Sequence, residues 1–219
     1  MDKLVIEGGH KLSGNIPISG AKNAALPVLA ATLLTREEVV LEHIPEVRDI
    51  QTMVLLLEHI GAVIEKKSGC YRIQAQTLVS PEAPYDLVKT MRASSLLLGP
   101  LVARTGRARL SLPGGCAIGA RPIHLHLAGL KKFGAQVTQE HGYIEASAPK
   151  GLEGTRFHFD RVSVTGTADL MMAAVLAKGE TVLTNAAREP EVVDLAMFLT
   201  RMGAVIEGAG EPTIYIQGR

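Results

Sequence analysis

Tryptophan is absent from the 219 residues, and aromatic residues of all kinds make up only 4%. A chain so poor in flat rings has little with which to stack single-stranded bases. Cysteine occurs twice, at Cys70 and Cys116. Two are too few for a disulfide framework or a metal set, and that usage points to the reducing cytoplasm. No apolar run reaches the roughly 18 residues of a membrane span. The opening stretch "MDKLVIEGGHKLSGN" lacks the apolar core of a signal peptide. An excess of one charge is missing too: 23 Lys and Arg face 22 Asp and Glu, for a formal net charge of +1. That balance leaves no footprint for nucleic acid or an anionic membrane. At 47% hydrophobic and 21% charged, the chain can bury a sizeable core in one large domain or two small ones.

What is present is a pattern used three times. The stretches beginning at Val39, Ala108 and Thr181 each give a short β-rich run, a helical stretch, a Gly-Ala pair and two further short strands. Val39 to Gly61 spans 22 positions, as does Thr181 to Gly203, whereas Ala108 to Gly134 spans 26. The middle copy therefore carries four extra residues, and the loop "PGGCAIGARP" is the natural place for them. An apolar helix precedes each copy: "AKNAALPVLAATLL", "VKTMRASSLLLGPLVAR" and "TGTADLMMAAVLAKG". These are apolar nearly all round and read as buried, whereas the later helices, such as "IQTMVLLLEHIG", are amphipathic and stop at glycine. The fold class expected is α/β, with three α-β-α-β-β units over residues 20–76, 88–147 and 162–217 in one domain, 20–219. "KLVIEGG" and "NIPISGA" within residues 1–19 look like strands without a unit of their own. Both ends read as those of a piece of something larger.

Candidate site residues cluster where the units begin. Lys22 and Asn23 stand at the start of the first buried helix, where free N–H groups and the dipole favour anions. A solvated lysine and an N-cap asparagine are the plainer alternative. Arg92 lies 69 positions after Asn23, the spacing that also separates Val39 from Ala108. A charge early on a buried helix needs a partner or a ligand. "VSVTGT", residues 162–167, opens the third buried helix. Three equivalent helix starts facing one side would form an anion site, although repeated core packing alone produces the same pattern. Cys116 sits in the inserted glycine-rich loop, five positions before Arg121. A nearby cation makes a thiol more acidic, able to attack a substrate or give it a proton. Cys70, at a hairpin strand start, reads as structural. His124 and His126 form an H-x-H pair that does not make a metal site by itself. Asp49 and Asp194 are read as acids at the starts of outer helices.

"ISGAKNAALP", "PYDLVKTMRASSLLLGPLVAR", "LPGGCAIGARPIHLHL" and "NAAREPEVVD" together resemble the UDP-N-acetylglucosamine 1-carboxyvinyltransferases, a family of enolpyruvyl transferases. The resemblance runs the length of the chain. It implies an inverted α/β barrel fold of two similar domains, each of three repeats, of which this chain matches the N-terminal half. It implies transfer of enolpyruvyl from phosphoenolpyruvate to the 3′-hydroxyl of the UDP-sugar, with phosphate released by addition and elimination. No metal or organic cofactor is implied. On the matching positions, Lys22, Asn23 and Arg121 resemble phosphoenolpyruvate contacts, and Cys116 the loop cysteine that donates a proton and is alkylated by fosfomycin. Arg92 resembles an arginine holding anionic groups and is counted with the UDP-sugar contacts. The UDP-sugar stretches match Arg121, Pro122, Ile123, His124 and Leu125, and Arg161, Val162, Ser163 and Val164. The family commonly has aspartate at position 124, lysine at 161 and glycine at 165, so contacts here are expected to differ in detail. Family members are about twice as long, and residues 1–19 are expected to pack with their second domain. The chain alone is therefore expected to be inactive.

Three other readings compete. The sister family acting on shikimate lacks the loop cysteine, so Cys116 argues against it. A non-catalytic UDP-sugar-binding module is compatible with every motif on this half. A repeat scaffold without ligand remains as a third.

Overall fold

From Ala25 onward every side chain of the first helix, α1 (Lys22–Ala31), is buried. That is what an all-round apolar sequence requires. The computed structural model describes residues 3–67, 69–88, 91–111 and 123–219, and of Arg92 the backbone alone. Of the residues expected at the site from sequence, Cys116, Arg121, Pro122 and the Arg92 side chain lie outside the described residues.

After α1 and a 3-10 turn, Thr32–Leu34, the chain forms β1 (Glu38–Leu41), α2 (Arg48–Ile60), β2 (Val63–Lys67) and β3 (Cys70–Gln74). Next come β4 (Glu82–Ala83), α3 (Tyr85–Val88) and a 3-10 stretch, Arg92–Leu97, that continues as α4 (Leu98–Thr105). They lead to β5 (Arg107–Ser111), α5 (His124–Lys132), β6 (Gln136–Glu140) and β7 (Tyr143–Ser147). The last elements are β8 (Arg156–His158), α6 (Val164–Ala174), β9 (Glu180–Thr184), α7 (Pro190–Arg201), β10 (Val205–Glu207) and β11 (Thr213–Gln217). The architecture is α/β, with three small sheets ordered β1-β3-β2, β4-β5-β7-β6 and β8-β9-β11-β10.

In each sheet the last strand of the unit is central and antiparallel to both neighbours. The β6–β7 hairpin closes with Glu140 opposite Tyr143. Its two turn residues, His141 and Gly142, both have positive φ (51° and 78°), the conformation that suits the twist of a two-residue hairpin. The buried helices α1, α4 and α6 pack on one another or on the intervening 3-10 turns. The outer helices α2, α5 and α7 lay one apolar face on that centre, and α2 stops at Gly61, whose φ of 122° few other residues tolerate. The result is one continuous apolar core running through all three units.

Two features differ from the sequence reading. β4 and β8 were not expected; they are two and three residues long, and each runs parallel to the strand after its helix. Such short runs carry no readable alternation. Conversely, no strand forms in residues 3–20. Leu4, Ile6, Leu12, Ile16 and Ile18 stand exposed, because an alternating pattern needs an edge to pair with. The β1 sheet has three strands where the other two have four, and among the described residues nothing pairs with the outer edge of β1.

The sequence predicts one buried helix continuous from Val88, but Tyr85–Val88 is a short helix of its own, Arg92–Leu97 is 3-10, and the chain is α-helical again only from Leu98. The break has an identifiable cause. Pro100 has no N–H to give, and the Gly99 N–H donates to Asp169 Oδ1 of α6 at 2.7 Å. A Cβ on Gly99 would land on the Asp169 carbonyl oxygen, so α4 and α6 cross in backbone contact here.

Candidate functional site

Residue 22 opens α1, 92 the 3-10 stretch before α4, and 164 opens α6. Each of the three helix starts expected from the sequence therefore does open a helical stretch. The 3-10 stretch packs on both α1 and α6, which ties the second start to the other two.

The α1 start has an open end. Its N-cap is Ala21, which has no side chain to cap with, and its first turn holds no acid. Asn23 is thus not the N-cap but the second helical residue, exposed to solvent. Pro27, four residues on, has no N–H to offer the Asn23 carbonyl in the usual helical bond. Lys22 is not free: its Nζ lies 2.7 Å from Asp49 Oδ2, in the first turn of α2. The lysine side chain is 47% exposed, and a surface pair of this kind contributes about 1 kcal/mol or less. A charge-assisted bond to a bound anion contributes roughly 1.5–3 kcal/mol, so an anionic ligand can draw Lys22 from Asp49.

Asn23 lines a cleft between α1 and α7 with Ala21, Ala24, Arg188, Glu191 and Asp194. The same groove runs on past His43 to Arg201. Arg188 is delivered by a pinned loop. Asn185, at φ 53°, donates from Nδ2 to the Phe159 carbonyl at 2.6 Å, and the Ala187 N–H donates to Thr167 Oγ1 at 3.0 Å. Arg188 then projects into solvent, and no described residue forms an ion pair with it. The stretch "NAAREPEVVD" carries the family resemblance, but the sequence alone assigns no role to Arg188 or Glu191. An Arg-Glu-Pro run at a helix start was the available signal. Asp194 is the fifth residue of α7 rather than its first-turn acid, which is Glu191.

The second group of candidates sits at the starts of α5 and α6. Ile123 is the N-cap of α5, His124 is exposed at its first position, and Leu125 is buried. Arg161 and Val162 are exposed ahead of α6. Ser163 caps α6, its Oγ accepting the Gly166 N–H at 3.1 Å, so this hydroxyl already has a structural partner. Val164 begins the helix. α5 and α6 pack together, which brings the 123–125 and 161–164 stretches to one place. The structure thus gathers Lys22 and Asn23 at one edge and 123–125 with 161–164 at another. Cys70 is half-buried and free on β3.

Two buried groups titrate far from their ordinary values. Burial lowers the His126 pKa from 6.5 to about 4, against weaker polar contact with the backbone of Ile123 and Thr165. Burial raises the Asp169 carboxyl from 3.8 to about 8, and the Gly99 N–H only partly opposes it. Among the described residues, no helix is long and apolar enough to cross a membrane.

Comparison with known proteins is consistent along the chain. A family model described as EPSP synthase (3-phosphoshikimate 1-carboxyvinyltransferase) matches residues 6–219. The UDP-N-acetylglucosamine 1-carboxyvinyltransferase of Solibacter usitatus is 66% identical over 218 residues, covering 100% of this chain and 52% of that protein. The protein of the same name from Acidobacterium capsulatum is 62% identical over 224 residues, with 100% and 51% covered. Among solved structures, the enolpyruvyl transferase NikO from Streptomyces tendae superposes with a TM-score of 0.83 at 25% identity, covering 97% of this chain and 50% of that one. EPSP synthase from Acinetobacter baumannii shares the fold, with a TM-score of 0.74 at 21% identity over 94% of this chain and 47% of that one. The chain spans about half the length of the curated relatives it matches.

Proposed function

We propose that this chain, which belongs to the EPSP synthase family of carboxyvinyltransferases, carries the substrate-binding face of a UDP-N-acetylglucosamine 1-carboxyvinyltransferase of the cytoplasm. Whole-chain identity to proteins of that name carries the reading. In this reading the three units form one domain, 20–219, of an inverted α/β barrel pair, and the exposed segment up to residue 19 packs on the second domain.

Lys22, Asn23 and Arg121 hold phosphoenolpyruvate, and Arg92 holds anionic groups on the UDP-sugar side. The open α1 terminus and the weakly held Lys22–Asp49 pair suit that task. The UDP-sugar lies along 121–125 and 161–164. Cys116 gives its proton to the methylene carbon of phosphoenolpyruvate while the sugar 3′-oxygen bonds to the adjacent carbon and loses its own proton to a base. Elimination then returns a proton from the methyl group and expels phosphate, leaving the enolpyruvyl ether. The sugar hydroxyl is a poor nucleophile, and the thiol that serves as acid cannot take its proton at the same moment. That base is assigned to the second domain, with the groups that exclude water and preorganise charge.

Two measurements test the reading. Calorimetric titration of the 219-residue chain with UDP-N-acetylglucosamine is expected to show binding; none near saturating sugar refutes the assignment. A phosphate-release assay with both substrates is expected to give no turnover above a Cys116→Ala control. Release above that control shows that these residues hold a complete site. The half-length match also fits a module that binds the UDP-sugar without transferring anything. Recovery of transfer when a second domain is supplied separates the two.

A further inference from the structure

One buried side chain between the two UDP-sugar stretches has no part in this chemistry. His126 is on α5, just past 123–125, and only 2% exposed. Its ring faces the backbone of Ile123, one turn back on the same helix, and of Thr165, the second residue of α6. Neither Nδ1 nor Nε2 makes a well-formed hydrogen bond to a described residue. The two helices meet without clearance: a Cβ on Gly129, three residues further along α5, would land on the Leu170 side chain of α6. The imidazole is therefore wedged where the starts of α5 and α6 come together.

For stability alone, histidine is a poor choice there. A buried ring with unsatisfied nitrogens loses the hydration it had in the unfolded chain and gains little back. Leucine is similar in size and carries no such penalty. What singles out the position is its neighbours, since Ile123 and Thr165 border the two binding stretches.

Resting on the function proposed above, we infer that His126 is a positioning residue of the UDP-sugar site, whose ring sets the start of α5 against the start of α6 through the backbone of Ile123 and Thr165. It acts on the ligand only through those two stretches.

Stability and affinity then respond in opposite directions. The 219-residue chain with His126→Leu is expected to melt no lower than the parent, yet bind UDP-N-acetylglucosamine several-fold more weakly by calorimetry, because the polar edge that faces the two backbones is gone. His126→Gln keeps a polar end for the two backbones and is expected to recover part of the loss. His126→Leu binding like the parent overturns the inference. So does failure of that variant to fold, or lost affinity that only tracks lost folded protein, because each marks a merely structural histidine. A parent chain without affinity for the sugar refutes the function itself, and this positioning role with it. Full affinity in His126→Leu refutes the positioning role alone.

Discussion

Asp169→Asn is expected to stabilise the protein, increasingly so as pH rises. The carboxyl is fully buried on α6, where Oδ1 accepts the Gly99 N–H at 2.7 Å and Oδ2 has no partner among the described residues. Burial raises its pKa from 3.8 to about 8. The folded protein therefore keeps a proton that the unfolded chain releases above pH 3.8. Its stability falls by about 1.36 kcal/mol per pH unit across that window and levels off above pH 8. The accumulated cost at pH 8 has a ceiling of about 5 kcal/mol, which water entry and relaxation reduce. Asparagine mimics the neutral acid: its carbonyl oxygen still accepts the Gly99 N–H, and it has no charge to bury. Little gain is expected at pH 4, where the parent carboxyl is largely neutral in both states. A gain of several kcal/mol is expected at pH 8.

His126 titrates with the opposite sense. Its folded pKa is lowered from 6.5 to about 4, so the unfolded chain binds the extra proton and stability falls as pH drops through that interval. Between pH 4 and 6.5 the two slopes oppose each other, and only above 6.5 does the Asp169 slope stand alone. The parent is expected to show little net pH dependence from these groups in the acidic range. Asp169→Asn uncovers a stability that rises from pH 4 to 6.5 and is then flat. Urea unfolding followed by circular dichroism at half-unit steps reads both profiles. A difference between variant and parent that does not change from pH 4 to 8 refutes the reasoning, because it means the buried carboxyl does not titrate in this window.

Other expectations are simpler to check. Gly99→Ala drives a Cβ into the Asp169 carbonyl and is expected to cost about 3 kcal/mol in the same unfolding assay. Lys22→Ala is expected to weaken phosphoenolpyruvate or UDP-sugar binding about tenfold without unfolding the chain; unchanged affinity removes Lys22 from the site. Limited alkylation with peptide mapping is expected to label Cys116 well ahead of half-buried Cys70, on the expectation from sequence that Arg121, five positions on, favours the thiolate; equal labelling of the two removes the electrostatic argument.

The sequence was most readable where one residue type answers one local demand. Glycine at 61 and 203 marked the ends of outer helices, and all-round apolar stretches marked the buried ones. The repeat spacing of 69 positions paired Asn23 with Arg92, and the structure sets both in the first two residues of their helical stretches. What escaped depends on partners far along the chain. Asp49 holds Lys22 from 27 residues away, and Asp169 takes the Gly99 N–H from 70 residues away. That second bond ends the 3-10 stretch and starts α4, so a helix that looks continuous in sequence is broken by a carboxyl two helices on. In sequence His126 is half of an H-x-H pair; in the fold the two part company, His124 being exposed and His126 buried. A charged or polar residue in an apolar helix is the one local trace such contacts leave. Asp169 in "TADLMMAAV" and His126 in "HLHLAGL" both interrupt apolar runs, and both prove to sit where one unit's helix meets the next. In a fold built by stacking three similar units, the residues that violate the pattern of a unit are the ones to examine for contacts between units, because the repeat itself accounts for the rest.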